Sequence, residues 1–230
     1  MVVKAVIFDL DGTIVAFNID FKAVRAEVRS FLISIGLPAS ILSLNESMFE
    51  MLKKTEIFMK NHGKSQKSRV EAREKAFSIA ERYELEAAKN TSLFPGVVET
   101  LKALKKMGLR IGLCTVNGEK STDYVLKRFK IQEYFNVVVP RDNVKYVKPD
   151  SQHLEAVLKA LKVKADEAIF VGDSVMDMKC ARELQVTAVG LPTGVSTLKD
   201  LISSGASYFV TSLADLPSLV EYTGRTPEKQ

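Results

Sequence analysis

The sequence predicts an α/β fold: a parallel sheet covered by helices on both faces, with an all-helical block inserted near the N-terminus. Two observations predict it. From residue 93 onward, short apolar runs of strand length alternate with helical segments, the pattern of a parallel sheet with right-handed crossovers. Between residues 19 and 90, apolar residues instead recur at helical spacing and no convincing strand is found.

The first predicted strand covers residues 5–8 and leads directly into Asp9, Leu10, Asp11 and Gly12. In extended backbone alternate side chains share a face, so Asp9 and Asp11 are expected to point the same way. Two adjacent carboxylates at the end of a buried strand raise each other's pKa. We expect a positive partner there, such as a hard cation with oxygen ligands. The simpler alternative is an Asp-Gly turn that ends the strand.

The remaining elements follow from periodicity and from glycine and proline stops. In the inserted block the predicted helices are 19–35, 46–60 and 68–89. Beyond it, the predicted helices are 97–107, 119–129, 150–161, 175–184, 198–204 and 213–222. The predicted strands there are 109–114, 137–139, 168–171, 186–189 and 208–210, and residues 223–230 are a predicted loose tail.

Composition narrows the class of protein. The 230 residues are 46% hydrophobic and 27% charged, with a net charge of +5, as in ordinary globular proteins. No basic run is interleaved with aromatic residues and no apolar run is long enough for a membrane span, so neither nucleic acid nor membrane is expected as a partner. No signal-peptide layout precedes the first strand. Cys114 and Cys180 lie in apolar surroundings and are expected to be reduced core thiols. Together these features predict a soluble cytoplasmic protein.

Ligands of parallel α/β sheets bind beyond the carboxyl ends of the strands, and the residues there are chemically suggestive. Thr115 and Asn117 follow the second predicted strand, Lys148 follows the third, and Asp173 and Asp177 follow the fourth. Each has an ordinary alternative: a helix cap, a solvated loop lysine or an acid at a helix start. Their joint placement at one edge of the sheet favours a functional site.

This ordered set resembles the haloacid dehalogenase superfamily of phosphohydrolases, and in particular its phosphoglycolate phosphatase-like members with a helical cap. Four motifs carry the resemblance: Asp-Leu-Asp-Gly-Thr at 9–13, Thr115, Lys148 before Pro149, and Gly172-Asp173 with Asp177. The resemblance covers nearly the whole chain. It implies a Rossmann-like three-layer α/β/α core of residues 1–17 and 91–230, and an all-α cap domain of residues 18–90.

The resemblance also implies a reaction. A magnesium-dependent phosphatase would hydrolyse a small phosphomonoester, such as phosphoglycolate or a sugar phosphate, through an aspartyl-phosphate. Asp9 is the expected nucleophile and Asp11 the expected general acid and base. Magnesium is expected at the Asp9 carboxylate, the Asp11 carbonyl oxygen and Asp173, with Asp177 supporting that set from behind.

The remaining implied residues bind the phosphoryl group. Lys148 supplies a compact positive charge to phosphate and Asp9, and Lys148 and Thr115 count among the catalytic residues. The expected substrate-binding residues are Gly12, Thr13, Thr115, Val116, Asn117 and Lys148. The expected partner is a small phosphorylated metabolite, and the protein is expected to be a monomer or homodimer.

Several alternatives stay open at this point. Asp11 argues against the dehalogenases of the family, which lack that second acid. A β-phosphoglucomutase-like phosphomutase shares the motifs, although it typically has Val where Thr13 stands. A phosphonate-cleaving enzyme would need a Schiff-base lysine in the cap, where Lys53, Lys54 and Lys60 are candidates. Receiver-type phospho-accepting signalling domains use similar residues, but the helical insertion and the length argue against one. A catalytically dead binding protein would not need every catalytic residue.

The cap is expected to choose the substrate, because it would cover the leaving group. A basic tract could grip a second anionic group, although a solvated helix face is the more ordinary explanation. The tract consists of Lys60, Lys64, Lys67, Arg69 and Arg73. Asn18, Arg25 and Arg29 are further candidates. His62 and His153 belong to none of the motifs and are expected on the surface, outside the chemistry.

Overall fold

A computed structural model describes residues 2–16 and 18–224. The chain divides into two compact units, one drawn from residues up to 16 and from 91 onward, the other from residues 18–90. We call them the core unit and the helical unit. Among the residues described, no helix combines the length and apolarity needed to cross a bilayer.

The helical unit consists of three helices, α1 (Phe21–Ser34), α2 (Met48–Asn61) and α3 (Gln66–Asn90). Its own apolar cluster includes the fully buried Val28, Leu32 and Met51. Local signals fix two helix starts: the Asp20 carboxylate accepts the Ala23 amide, and Ser47 forms a reciprocal capping box with the third residue of α2. The predicted helices are confirmed, with ends that differ by one or two residues.

The core unit is built on a parallel sheet in the order β3-β2-β1-β4-β5-β6. The strands are β1 (Ala5–Phe8), β2 (Arg110–Cys114), β3 (Val137–Val139), β4 (Ala168–Gly172), β5 (Thr187–Gly190) and β6 (Tyr208–Phe209). Every residue of β1 and β4 is buried, which requires cover on both faces because successive side chains alternate. The predicted three-layer α/β fold with a helical insertion is confirmed.

The helices of the core unit follow their strands in alternation. They are α4 (Val97–Lys106), α5 (Glu119–Arg128), α6 (Gln152–Leu161), α7 (Val175–Leu184), α8 (Leu198–Ser204) and α9 (Leu216–Gly224). The predicted start of α6 at residue 150 was two residues early, because the Asp150 carboxylate accepts the Gln152 amide at 3.1 Å and turns the chain before the helix. Cys114 and Cys180 are buried free thiols, as expected.

The predicted last helix is divided. Residues Leu213–Asp215 form a 3₁₀ turn, in which the Ser212 hydroxyl accepts the Ala214 amide, and α9 begins only at Leu216. The predicted tail therefore began too early, because Thr223 and Gly224 still belong to α9. The rest of that predicted tail, residues 225–230, lies outside the described residues.

Candidate active site

The sheet brings the four motifs together at its carboxyl edge. Strand β1 lies between β2 and β4, and Phe8 pairs in register with Leu113 and Val171. The three chain segments that leave these strands therefore start side by side. The Asp9 amide extends the pairing by donating to the Val171 carbonyl at 2.9 Å.

A buried lysine lies between two of the acids. The Lys148 ammonium is 2.6 Å from Asp9 Oδ1 and 2.7 Å from Asp177 Oδ1. Lys148 is 2% exposed and Asp177 is fully buried, so water screens these pairs very little. Burial alone would lower the pKa of Lys148, but Asp177 and Asp9 outweigh it and raise that pKa well above its usual range. The lysine is a permanent positive charge in this site.

A third acid makes the cluster too negative for that lysine. Carboxylate oxygens of Asp9, Asp173 and Asp177 all lie within 4.8 Å of one another. Burial raises the pKa of Asp9 to about 6 against the opposing charge of Lys148. Burial, together with the charges of Asp9 and Asp177, raises the pKa of Asp173 to about 8. Three carboxylates beside one ammonium leave an excess charge of −2 when all are ionised, and such a set of hard oxygen donors fits a divalent cation.

The start of α7 fixes the position of Asp177. Ser174 Oγ accepts the Asp177 amide at 3.3 Å, while Asp177 Oδ2 accepts the Ser174 amide at 3.0 Å and its hydroxyl at 2.5 Å. This capping box holds an acid in the first helical turn, where the helix dipole favours it. A side chain on Gly172 would place its Cβ 2.5 Å from Asp177 Cγ, so only glycine fits there. Sequence reasoning missed Ser174, although its spacing to Asp177 is that of a capping box.

Asp173 is held by the loop after β5. The Val195 amide donates to Asp173 Oδ2 at 3.1 Å, and the buried Thr13 hydroxyl donates to Oδ1 at 3.4 Å. A Cβ on Gly194 would lie 1.8 Å from Asp173 Oδ2, and one on Gly12 would lie 2.6 Å from the carboxylate. Nothing local in the sequence links this segment to Asp173, so its role could not be predicted.

Asp11 lies in the turn after β1 rather than in the strand. The turn is closed by the Gly12 amide, which donates to the Val15 carbonyl at 2.8 Å. The Asp11 carboxylate accepts a hydrogen bond from the Asn117 side-chain amide. The turn, and not strand alternation, therefore sets the direction of Asp11, because β1 ends at Phe8.

The segment after β2 is fastened by the segment after β3. The Asn117 amide donates to Thr115 Oγ1 at 3.2 Å, and both residues are buried. Arg141, only 1% exposed, donates from its guanidinium to the Val116 carbonyl at 3.2 Å. Its backbone amide donates to the Asn117 carbonyl at 3.0 Å. Arg141 was not predicted, because an arginine in a loop gives no sequence signal of burial.

His153 corrects an expectation. It was expected on the surface but is fully buried, because the first turn of α6 faces the end of β3. Its ring contacts the Lys148 amide at 3.4 Å and the Val139 carbonyl at 3.0 Å. Burial and the nearby Lys148 charge lower its pKa to about 4. His62 is exposed, as expected.

The candidate specificity residues of the helical unit mostly contact their own unit. Arg29 donates to the Leu42 carbonyl at 2.9 Å, and Arg69 lies 3.4 Å from Glu56. The Arg73 guanidinium lies 5.0 Å from the centre of the Phe77 ring. These contacts explain three of the basic side chains by packing within the helical unit.

The fold places a cluster of buried acids that fits a divalent cation at the carboxyl edge of a parallel α/β sheet. The sequence model of the haloacid dehalogenase-like hydrolases matches residues 6–191, and this chain belongs to that family. The match includes all four motifs, so the family membership expected from the residues is confirmed.

Individual relatives agree with this assignment. A phosphoglycolate phosphatase of Pseudomonas fluorescens (strain Pf0-1) is 30% identical over 218 residues, covering 93% of this chain and 78% of that protein. The pyrophosphatase PpaX of Bacillus thuringiensis (strain Al Hakam) is 39% identical over 82 residues, which is 36% of this chain and 38% of that one. A hydrolase from Pseudomonas syringae has a similar structure, with a TM-score of 0.66 at 25% identity, covering 96% of this chain and 100% of that one. The predicted class of enzyme, a phosphatase, is confirmed.

Proposed function

We propose that this phosphatase is magnesium-dependent and hydrolyses a small phosphomonoester through an aspartyl-phosphate on Asp9. One observation carries the proposal: three buried carboxylates cluster beside a single lysine that contacts two of them, so the cluster has an excess charge of −2 when all three are ionised. That charge is unfavourable alone and favourable with a divalent cation and a phosphoryl group bound.

Asp9 is the nucleophile of this proposal. Lys148 holds its Oδ1 at 2.6 Å, which leaves the other carboxylate oxygen to attack phosphorus. The new bond joins that oxygen to phosphorus while the bond from phosphorus to the ester oxygen breaks. Asp11 gives its proton to the departing alkoxide. Water then attacks phosphorus while Asp11 takes its proton, the bond from phosphorus to the Asp9 oxygen breaks, and phosphate leaves with the Asp9 carboxylate restored.

The proposed magnesium ligands are the Asp9 carboxylate, the Asp11 carbonyl oxygen and Asp173. When bound, magnesium supplies positive charge to the phosphoryl oxygens. Both oxygens of Asp177 are engaged, one by Lys148 and one by Ser174. These contacts support the expected role of Asp177, which does not bind the metal directly but holds Lys148 in place beside the ligands.

The proposed phosphate-binding groups are Thr115, Val116, Asn117 and Lys148. Gly12 and Thr13 were expected to bind substrate, but their hydrogen bonds favour a structural role in the turn after β1 and beside Asp173. The Gly12 amide donates to Val15, and the Thr13 amide donates to the Leu10 carbonyl at 3.3 Å. The Thr13 hydroxyl donates to Asp173. We therefore assign Gly12 and Thr13 to shaping the turn and holding Asp173.

The substrate class follows from the relatives only as a proposal. Phosphoglycolate is the first candidate because named relatives that cover most of this chain are phosphoglycolate phosphatases. Sugar phosphates and pyrophosphate are further candidates. A cytoplasmic location and a monomeric or homodimeric state remain predictions from the sequence.

A phosphate-release panel tests the proposal. Purified protein is assayed on phosphoglycolate, sugar phosphates, nucleotides and pyrophosphate, with magnesium, with a chelator, and with magnesium restored. We expect release from a small phosphomonoester that stops on chelation and returns with magnesium. Release that survives chelation would contradict the metal assignment.

The phosphomutase alternative gives a different result in the same panel. Hexose phosphate isomers would interconvert without release of phosphate, and the proposal would then be wrong. The family match over residues 6–191 disfavours the receiver-type alternative, since the matched family is one of hydrolases.

A further inference from the structure

We propose that His153 is a positioning residue for the phosphatase reaction, which fixes the backbone of Lys148 and couples it to the segment that carries Thr115. The inference rests on the proposed function of Lys148 and Thr115. His153 lies in none of the four motifs and touches none of the three clustered acids in the contacts described above.

The ring of His153 bridges two chain segments. Its Nε2 lies 3.0 Å from the carbonyl oxygen of Val139, the last residue of β3. Its Nδ1 lies 3.4 Å from the backbone nitrogen of Lys148. The side chain is fully buried, so water does not compete for either contact.

These contacts define one tautomer. A carbonyl oxygen can only accept, so Nε2 carries the proton and donates it to Val139. The Lys148 amide can only donate, so Nδ1 must be the unprotonated nitrogen. Both hydrogen bonds therefore exist together only in the neutral ring. Burial and the nearby Lys148 charge both disfavour the imidazolium form and lower the pKa of His153 to about 4.

The Val139 carbonyl joins this bridge to the phosphate-binding segment. It also accepts the Thr115 amide, at 3.3 Å. One carbonyl oxygen thus receives hydrogen bonds from Thr115 and from His153, and His153 in turn receives the Lys148 amide. The positions of the two segments proposed to bind phosphoryl oxygens are therefore both fixed relative to the Val139 carbonyl oxygen.

A second contact holds the same loop from α7. The Cys180 thiol donates to the Asp150 carbonyl at 3.1 Å, two residues after Lys148. Asp177, three residues before Cys180 on that helix, accepts the Lys148 ammonium. Helix α7 thus holds both the side chain of Lys148 and the loop that follows it, while His153 holds its backbone.

The bridge is important because it restricts the backbone of Lys148, and therefore the positions that its ammonium can take relative to Asp9. A long side chain loses considerable rotamer freedom when it is fixed, and a loosely held backbone multiplies the positions of the ammonium. Small displacements of a charge from the reacting atoms are costly in rate. Loss of the bridge should lower kcat more than it raises KM, because the ground-state complex is less sensitive to this position.

The test compares three variants with the wild-type protein. His153→Leu removes both hydrogen bonds, and His153→Asn keeps an acceptor near the Nδ1 position. Thr100→Val is the matched control, because it removes a buried hydroxyl that donates to the Leu213 carbonyl at 2.9 Å, away from Lys148. Amide hydrogen exchange at Lys148, thermal unfolding, kcat and KM are measured for each.

We expect His153→Leu to lose protection of the Lys148 amide and to lower kcat by about tenfold, with KM changed less than about threefold. His153→Asn should recover most of the amide protection and most of the kcat. Thr100→Val should lower the unfolding temperature without changing the Lys148 amide protection or kcat. Unchanged amide exchange in His153→Leu, or a kcat equal to that of the Thr100→Val control, would overturn the proposal.

The two proposals fail separately. If the wild-type protein releases no phosphate from the panel, the proposed function is wrong. The exchange measurement then still decides whether His153 fixes the Lys148 backbone, because it needs no substrate.

Discussion

The charged side chains of the candidate site are buried, whereas an ion pair of the helical unit is exposed to solvent. In the core unit, the clustered residues Asp9, Lys148, Asp173 and Asp177 are each at most 7% exposed. In the helical unit, the Arg82–Glu27 pair has side chains 64% and 38% exposed. Solvated pairs of this kind contribute little and are replaceable, whereas a buried charge depends on its partners. The comparison indicates that the buried cluster depends on its charged partners, whereas solvent screens an exposed pair such as Arg82–Glu27.

The most severe test of this contrast is Asp9→Asn. Removing the nucleophile should reduce phosphate release by about 10⁴-fold or more. The fold should survive, because the change removes a buried carboxylate that Asp173 and Asp177 repel, and Lys148 keeps Asp177 as its partner. Phosphate release and the thermal unfolding midpoint without magnesium are measured together.

Asp166→Asn serves as the control for that change. Asp166 is exposed and lies outside the site, so its substitution should leave both quantities unchanged. Phosphate release by Asp9→Asn at the wild-type rate would remove Asp9 as the nucleophile.

Lys148→Met sharpens the contrast in stability. It leaves Asp9 and Asp177 buried beside each other without their counter-charge, and we expect a loss of about 3 kcal/mol in the free energy of unfolding. The matched change in the helical unit is Lys54→Met, which breaks a pair whose lysine side chain is 46% exposed. That change should cost less than about 1 kcal/mol. Equal losses, measured by denaturant unfolding, would contradict the comparison.

The dependence of stability on pH follows from the raised pKa values. Unfolded aspartates lose their protons near 3.8, whereas folded Asp9 and Asp173 keep theirs to about 6 and about 8. Without magnesium, the stabilising contribution of these protons is fully present below the unfolded value and is lost as the pH rises to about 8. The unfolding midpoint should therefore fall over that range.

Magnesium should reverse this trend, since it binds the ionised carboxylates of the folded state. Its stabilising effect should be larger at about pH 8 than at about pH 5, where protons compete for Asp173. Asp173→Asn should lose most of the pH dependence of the unfolding midpoint and most of the stabilisation by magnesium. A magnesium effect of the same size at both pH values would argue against binding at these acids.

The smallest effects are expected in the basic tract of the helical unit. Lys60 and Lys64 are exposed, so converting both to glutamine should change kcat/KM for phosphoglycolate by less than about twofold. A loss of tenfold or more would instead show that the tract grips a second anionic group of the substrate. Arg29→Gln is the internal comparison, because it removes hydrogen bonds to backbone carbonyls and should lower the unfolding temperature.

Much of the candidate site could be predicted because three of the four motifs directly follow the end of a strand. Asp9, Thr115 and Asp173 directly follow the apolar runs of β1, β2 and β4, and a parallel sheet brings such positions to one edge. Lys148 stands nine residues beyond the end of β3, and it was predicted from its place in the loop before α6 and from the Lys-Pro motif. Periodicity was sufficient here because buried parallel strands are continuous apolar runs.

Apart from Ser174, whose capping box with Asp177 is a local signal, the missed contacts join residues that no sequence pattern links. His153 lies in an amphipathic helix, where sequence spacing gives no sign of the Val139 carbonyl it would meet. Arg141 opens a 3₁₀ turn after β3, and its guanidinium donates to the Val116 carbonyl. The Val195 amide reaches Asp173 across 22 positions. Local patterns contain no information on such partners.

The sequence by itself determined the fold class, the family and the identity of the acids and the lysine, because strand ends and motif spacing are local properties of the chain. Only the tertiary structure decided how these groups share charge. It places Lys148 between Asp9 and Asp177, turns Thr13 toward Asp173 and buries His153 against the Lys148 backbone. The reason is physical: the strength of a charge or a hydrogen bond depends on distance and on exclusion of water, and both are set by the packing of segments far apart in sequence.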